Sequence, residues 1–255
     1  MTTTLTAGGQ RAWQLPPARQ LTVLVGNFGS GKTETALHYA IALAESGEQV
    51  KLVDLDIVNA YFRSREARQY AASRGVEVVA PVEEYELADL PILLKQVSGA
   101  IGAGVGKVVL DVGGDDLGAR VLGGFAHLLG DAAVLQVLNQ RRPFTDSVAG
   151  AKRMYQELEA ASRLRITGIV GNTHLIDETT VEVIRQGVDF VETFSAEVGV
   201  PVAFLAVEKS FVEEIGDLGY PVLTIERLMT SPWERSNKRG PIGRPPPVKM
   251  PAGVE

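Results

Sequence analysis

The sequence predicts a three-layer, doubly wound α/β domain on a mostly parallel sheet of about seven strands. Three observations carry that expectation. Short apolar runs alternate with helical stretches from residue 21 to about residue 218, the runs are apolar on both faces, and a glycine-rich break separates the first run from the first helix. Strands buried on both sides imply a parallel sheet with helices covering each face. With 255 residues, 45% of them hydrophobic and 22% charged, the chain can bury one such core and has the composition of an ordinary globular protein.

The first predicted strand is Leu21 to Val25, ended by the break at Gly26 to Gly31. A helix follows from Lys32 to Glu45, with Ala36, Leu37, Ala40, Ile41 and Ala44 on one stripe and a stop signal at Gly47. Further strands are expected at Val50 to Leu55, Val76 to Ala80, Val108 to Val112, Ala132 to Leu138, Ile166 to Val170 and Val202 to Val207. Helices are expected at Arg65 to Arg74, Leu90 to Ile101, Leu117 to Leu129, Thr145 to Ser162, Glu178 to Val198 and Phe211 to Leu218. Strand and helix in regular alternation make a doubly wound domain.

The chain divides by composition into a flexible extension at 1–19, the α/β domain at 20–220 and a tail at 221–255. The tail holds Pro221, Pro232, Pro241, Pro245, Pro246, Pro247 and Pro251 together with Arg235, Lys238, Arg239, Arg244 and Lys249, so it reads as basic and polyproline-like. Leu228 and Trp233 are its candidates for docking on the body. The formal net charge of -6 argues against a nucleic-acid partner, which needs a basic face. The absence of cysteine excludes disulfides, thiolate metal sites and catalytic thiols. His38, His127 and His174 lie at no metal-ligand spacing. No apolar leader region and no spanning segment is visible, which predicts a cytoplasmic protein without a membrane span.

Gly26-Asn27-Phe28-Gly29-Ser30-Gly31-Lys32-Thr33 fits the phosphate-binding loop pattern, a glycine, four residues, then Gly-Lys-Thr. Its glycines let backbone N–H groups turn inward as an anion nest, and the helix behind them points its positive end at the phosphates. Lys32 reaches the outer phosphates, and the Thr33 hydroxyl serves Mg2+. A second requirement is an acid at the end of a neighbouring strand. Asp111 supplies it, and Gly114 three residues on can touch a γ-phosphate. Asp54, ending the second strand, can order the attacking water or a metal-bound one. Asp56, Arg63 and Arg65 stay open between loop residues and partner contacts, Asp115 and Asp116 between helix cap and catalysis, and Arg120 between a solvated side chain and a phosphate contact.

Guanine selection needs a carboxylate three residues after an Asn at a strand end. Here Asn172 is followed at that distance by Leu175, which favours adenine, with Asn172 read either as a purine contact or as a turn residue. Arg141-Arg142-Pro143-Phe144 falls on the ligand-bearing carboxyl edge and is read either as an anion contact or as a solvated loop. Gly102 to Gly106 precedes a strand and is read as a turn.

Taken together, the glycine loop, Asp54-x-Asp56, Asp111-x-x-Gly114 and the strand ending at Asn172 resemble the MinD, ParA and nitrogenase-iron-protein branch of the SIMIBI-class P-loop ATPases, nearest to bacterial MinD-superfamily ATP-binding proteins with a CobQ/CobB/MinD/ParA nucleotide domain. The resemblance implies ATP and Mg2+ as cofactors. It assigns phosphate and metal contacts to Lys32 and Thr33, water orientation to Asp54, the metal shell to Asp111 and adenine to Asn172. Members of the branch carry a second lysine that crosses a homodimer interface, where this sequence has Asn27. The expected function is slow ATP hydrolysis as a conformational switch acting on an unidentified protein partner. The alternatives are a ligase or kinase activating a small carboxylate, and a nucleotide-binding module with negligible turnover.

Overall fold

The computed structural model describes residues 19–56, 65–80, 98–99, 106–114 and 116–228. Its strands are Leu21–Val25 (β1), Val50–Asp54 (β2), Val76–Val79 (β3), Lys107–Asp111 (β4), Ala133–Leu138 (β5), Gly168–Gly171 (β6), Val202–Glu208 (β7) and Val222–Ile225 (β8). They form one sheet in the order β3-β2-β4-β1-β5-β6-β7-β8, every neighbouring pair parallel. The helices are Lys32–Glu45 (α1), Arg65–Ser73 (α2), Asp116–Phe125 (α3), Val148–Ser162 (α4), Val181–Val198 (α5) and Val212–Ile215 (α6).

The three layers follow from the two-sided apolarity of the strands. Leu24, Leu52, Val109 and Val137 pack on one face with Ala36 and Leu37 of α1 and Ala67 and Ala71 of α2. Val23, Val25, Leu110 and Leu138 pack on the other with Leu122 of α3, Ala151 and Leu158 of α4, and Ile184 and Val191 of α5. Adjacent residues of β1 therefore enter opposite cores, as a strand buried on both faces requires.

The chain leaves β1 toward β2 on one side and leaves β5 toward β6 on the other. Loops after these two neighbouring strands consequently diverge and open a crevice at the carboxyl edge of the sheet, where ligands bind in such folds.

The sheet holds one strand more than the about seven expected. The sheet has eight strands, because Val222–Ile225 pairs in register with Leu205–Glu208 of β7. This segment follows Pro221 and has only four residues, alternately half-buried and buried as an edge strand is, so its signal was weak within a proline-rich stretch. Residues as far as Leu228 dock on α1. The Glu226 N–H donates to His38 Nε2 at 2.9 Å, the Leu228 N–H donates to Glu34 Oε1 at 2.9 Å, and the Leu228 side chain packs against the α1 core. Trp233 and the basic tail, the extension before Arg19, the loop at 57–64 and most of the helix expected at Leu90 to Ile101 lie outside the described residues. β6 also begins at Gly168, later than the expected Ile166.

α1 is fixed to the sheet by a buried ring pair, Tyr39 and Phe204 stacked at 5.6 Å with an interplanar angle of 4°. Phe204→Ala removes a fully buried ring from beneath this helix and should cost about 3–5 kcal/mol in a urea unfolding titration. A loss below about 1 kcal/mol would show that the pair does not anchor α1.

Candidate nucleotide-binding site

Gly26 to Gly31 connects β1 to α1 across the crevice. Gly31 sits directly before the helix with φ +86°, and no side chain caps the helix. Its left-handed backbone suits glycine, and a Cβ there would come within 2.2 Å of Asn172 Nδ2. The first-turn N–H groups of α1 are thus left for an anion.

Lys32 begins α1 and is almost fully buried, its Nζ donating to the Asn27 carbonyl at 2.9 Å. Gly114 lies against the same group, since a Cβ added to it would stand 2.6 Å from Lys32 Nζ and 2.8 Å from the Phe28 nitrogen. The short segment after β4 therefore touches the glycine loop at its lysine. Phe28 itself is 70% exposed at the loop tip.

Asp54 and Asp111 end β2 and β4 as register partners, and their exposures are 0% and 1%. Side chains at matched positions of parallel neighbours share a face, so the two carboxylates stand side by side. Asp54 Oδ1 accepts the Asp56 N–H at 2.9 Å. Among the described residues no donor meets an Asp111 oxygen at full hydrogen-bonding geometry, the Thr33 hydroxyl being the one that lies close enough to act on it. Burial pushes the Asp111 carboxyl up to about 6, opposed by the nearby Thr33 hydroxyl and the Lys32 ammonium and reinforced by Asp56. A buried carboxylate without donors, beside a threonine hydroxyl, is a chemically suitable place for a hydrated divalent cation. The residues expected to hold Mg2+ therefore fit it: Thr33 and Asp111, with Asp54 alongside. Among the described residues no group of three acids or imidazoles could by itself hold a metal ion.

Asn172 ends β6 and comes to the glycine loop, its Nδ2 donating to the Ser30 carbonyl at 2.7 Å. Its amide nitrogen is thereby committed to holding the loop. Leu175, at the position where a guanine-reading acid would stand, donates its N–H to Thr179 Oγ1 at 2.9 Å. The nearest acid in sequence, Asp177, pairs with Arg227 at 2.9 Å. His174 lies behind the loop, and its imidazole is pushed down to about 4 by burial and by Arg142 and Arg227, so it is neutral near pH 7.

Sequence reasoning missed Asn139, which is fully buried just beyond β5. Its Nδ2 donates to the His174 carbonyl at 3.2 Å, and its Oδ1 accepts the Arg141 N–H at 2.9 Å. Its carbonyl accepts the Thr145 hydroxyl at 2.8 Å. An asparagine closing an apolar run on the ligand edge was the available signal. Arg120 is exposed on α3, Arg63 and Asp115 lie outside the described residues, and nothing is described of the Arg65 and Asp116 side chains.

The comparisons agree on the fold. A family model for the ATPase MipZ matches residues 21–93. Solved structures with the same fold include the cell division protein FtsY of Thermotoga maritima (19% identity, 77% of this chain and 64% of that one, TM-score 0.52). They also include the signal recognition particle 54 kDa protein of Aeropyrum pernix K1 in complex with GDP (21% identity, 78% and 44%, TM-score 0.55). A third is chloroplast FtsY of Physcomitrella patens (23% identity, 79% and 62%, TM-score 0.52). The fold is the α/β fold of these structures, and the MipZ match covers the glycine loop. The chain spans less than two thirds of the length of each of these three structures, and at such identity the likeness is one of fold. No curated protein matches the chain.

The raised pKa of Asp111 gives a pH test of this buried charge. Because the folded-state value lies above the ordinary 3.8, the folded protein holds this proton more tightly than the unfolded chain. The stabilisation is complete below about pH 4 and is lost as pH rises through about 6. Without nucleotide or Mg2+, Asp111→Asn should therefore melt above the wild type at pH 7.5, with the gap closing toward pH 4. Equal melting at pH 7.5 would mean that the buried charge is already compensated.

Proposed function

We propose that this protein is a Mg2+-dependent nucleoside triphosphatase that prefers ATP and works as a slow conformational switch on a protein partner. The observation that carries the reading is the convergence of Lys32, Thr33, Gly114 and the donor-free Asp111 at one end of β1 and β4. Lys32 and the amides of the glycine loop bind the phosphates, and Thr33 with Asp111 holds the hydrated cation. Mg2+, when bound, offsets phosphate charge. Asp54 accepts from the attacking water and aligns it, while the Gly114 backbone feels whether a terminal phosphate is present.

Two features support a switch. Gly114 contacts the phosphate lysine and leads directly into α3, so loss of the γ-phosphate is felt at the start of a helix. The MipZ match over residues 21–93 covers the glycine loop and Asp54 and favours an ATPase that acts on a partner. Adenine is favoured because Leu175 offers no carboxylate and Asp177 is engaged by Arg227. No described helix is long and apolar enough to cross a membrane.

Lys32→Ala removes the phosphate ammonium and should abolish the rise in melting temperature that MgATP gives the wild type, leaving a shift below about 1 °C. MgATP should stabilise the wild type more than MgGTP does. Undiminished stabilisation of the variant would refute the assignment of the site.

A further inference from the structure

The crevice at the switch point has two walls, and the function above uses only one. The glycine loop is the first. The second is the turn after β5, residues 139–146, which carries two consecutive arginines. Asn27 ties the walls together, its Nδ2 donating to the Pro143 carbonyl at 2.8 Å. That asparagine stands where the resembling ATPases have a lysine, so a position that carries charge elsewhere serves here to dock an arginine-bearing turn.

The two arginines point to different ends. Arg141 is hydrogen-bonded to Gln186 of α5. Arg142 turns to the glycine loop, its Nε, Cδ and Cζ lying 3.5, 3.7 and 3.8 Å from where a Cβ of Gly29 would stand. Its Nε is buried and, among the described residues, has no hydrogen-bond partner. Among the described residues no Asp or Glu forms an ion pair with Arg142. A guanidinium half-sunk in protein without an anion is costly to keep there, and its planar fork suits phosphate oxygens.

The backbone presenting this group is rigid. The Arg142 N–H donates to the Asn139 carbonyl at 3.2 Å, and the Arg142 carbonyl accepts the Thr145 N–H at 3.2 Å and the Thr145 hydroxyl at 3.3 Å. Thr145 and Asn139 are both buried. The neighbouring His174 adds no positive charge to compete at neutral pH.

We propose that Arg142 is a phosphate-binding residue in cis, reaching across Gly29 to the terminal phosphate of a bound triphosphate. It supplies from the same chain the second cation that Asn27 does not provide. This rests on the nucleotide-site reading above. A cation on the terminal phosphate stabilises the triphosphate more than the diphosphate, and during hydrolysis it meets the charge spread over the equatorial oxygens of the group being transferred.

The test is a pair of titrations, MgATP and MgADP, on wild type, Arg142→Ala and Arg142→Lys, with single-turnover phosphate release beside them and MgGTP and MgGDP as a second pair. Arg142→Ala should weaken triphosphate binding about ten-fold and diphosphate binding no more than about two-fold, and slow phosphate release by about ten-fold or more. Arg142→Lys should recover part of the triphosphate affinity, since charge without the fork is still charge. Melting without nucleotide separates misfolding from lost contact, and a variant that melts like the wild type while losing triphosphate selectivity supports the proposal. Equal loss of tri- and diphosphate affinity, or no loss, overturns it. A wild type that binds neither pair overturns the nucleotide-site reading itself, with or without Arg142.

Discussion

The structure turns on an imbalance of buried charge. Asp54 and Asp111 end adjacent strands in register with almost no exposure, and the ammonium of Lys32 is sealed in beside them. Two carboxylates against one ammonium leave a negative excess that low-dielectric surroundings make expensive. The rise of Asp111 toward 6 is the trace of that expense. A divalent cation relieves it, and an anion held by the glycine loop balances the cation in turn. On the proposed function the loaded form is the relieved one, which would give an energetic basis for coupling occupancy to conformation.

Positioning comes from amides more than from charges. Asn172 holds the loop through Ser30, Asn27 joins it to the turn after β5, and Asn139 knits that turn to His174. These bonds link the ends of β1, β5 and β6, three consecutive strands of the sheet. A glycine-rich segment has high conformational entropy when free; Asn27 and Asn172 tie it to its neighbours, and Asn139 braces the turn that Asn27 grips. Gly114 is added from the other side, against Lys32, where movement is most readily transmitted to α3.

Much of this was legible in the sequence, and for local reasons. Continuous apolar runs read as buried parallel strands, and α1 begins at Lys32 and ends at Glu45, as its stripe and the following glycine required. The glycine loop was readable because its residue types are dictated by one backbone shape. What escaped depends on distance in the chain. Asn27 bonds to Pro143 and Asn172 to Ser30 across more than a hundred residues, and no spacing rule joins them. β8 escaped because four residues after a proline carry too little pattern, although Leu223 and Ile225 alternate inward as an edge strand should. Asn172 also grips the glycine loop through its amide, a contact visible only once β6 is placed beside β5 and β1.

The central claim, that the segment from Gly26 to Thr33 is the cradle of a triphosphate tail, is tested most directly by a crystal structure of the wild-type protein grown with Mg2+ and a non-hydrolysable ATP analogue. The account expects phosphate density along the amides of Gly29 to Thr33, with the cation between the Thr33 hydroxyl and Asp111. Clear density for the analogue elsewhere on the protein, with the loop unchanged and Asp111 remote from any ion, would contradict it.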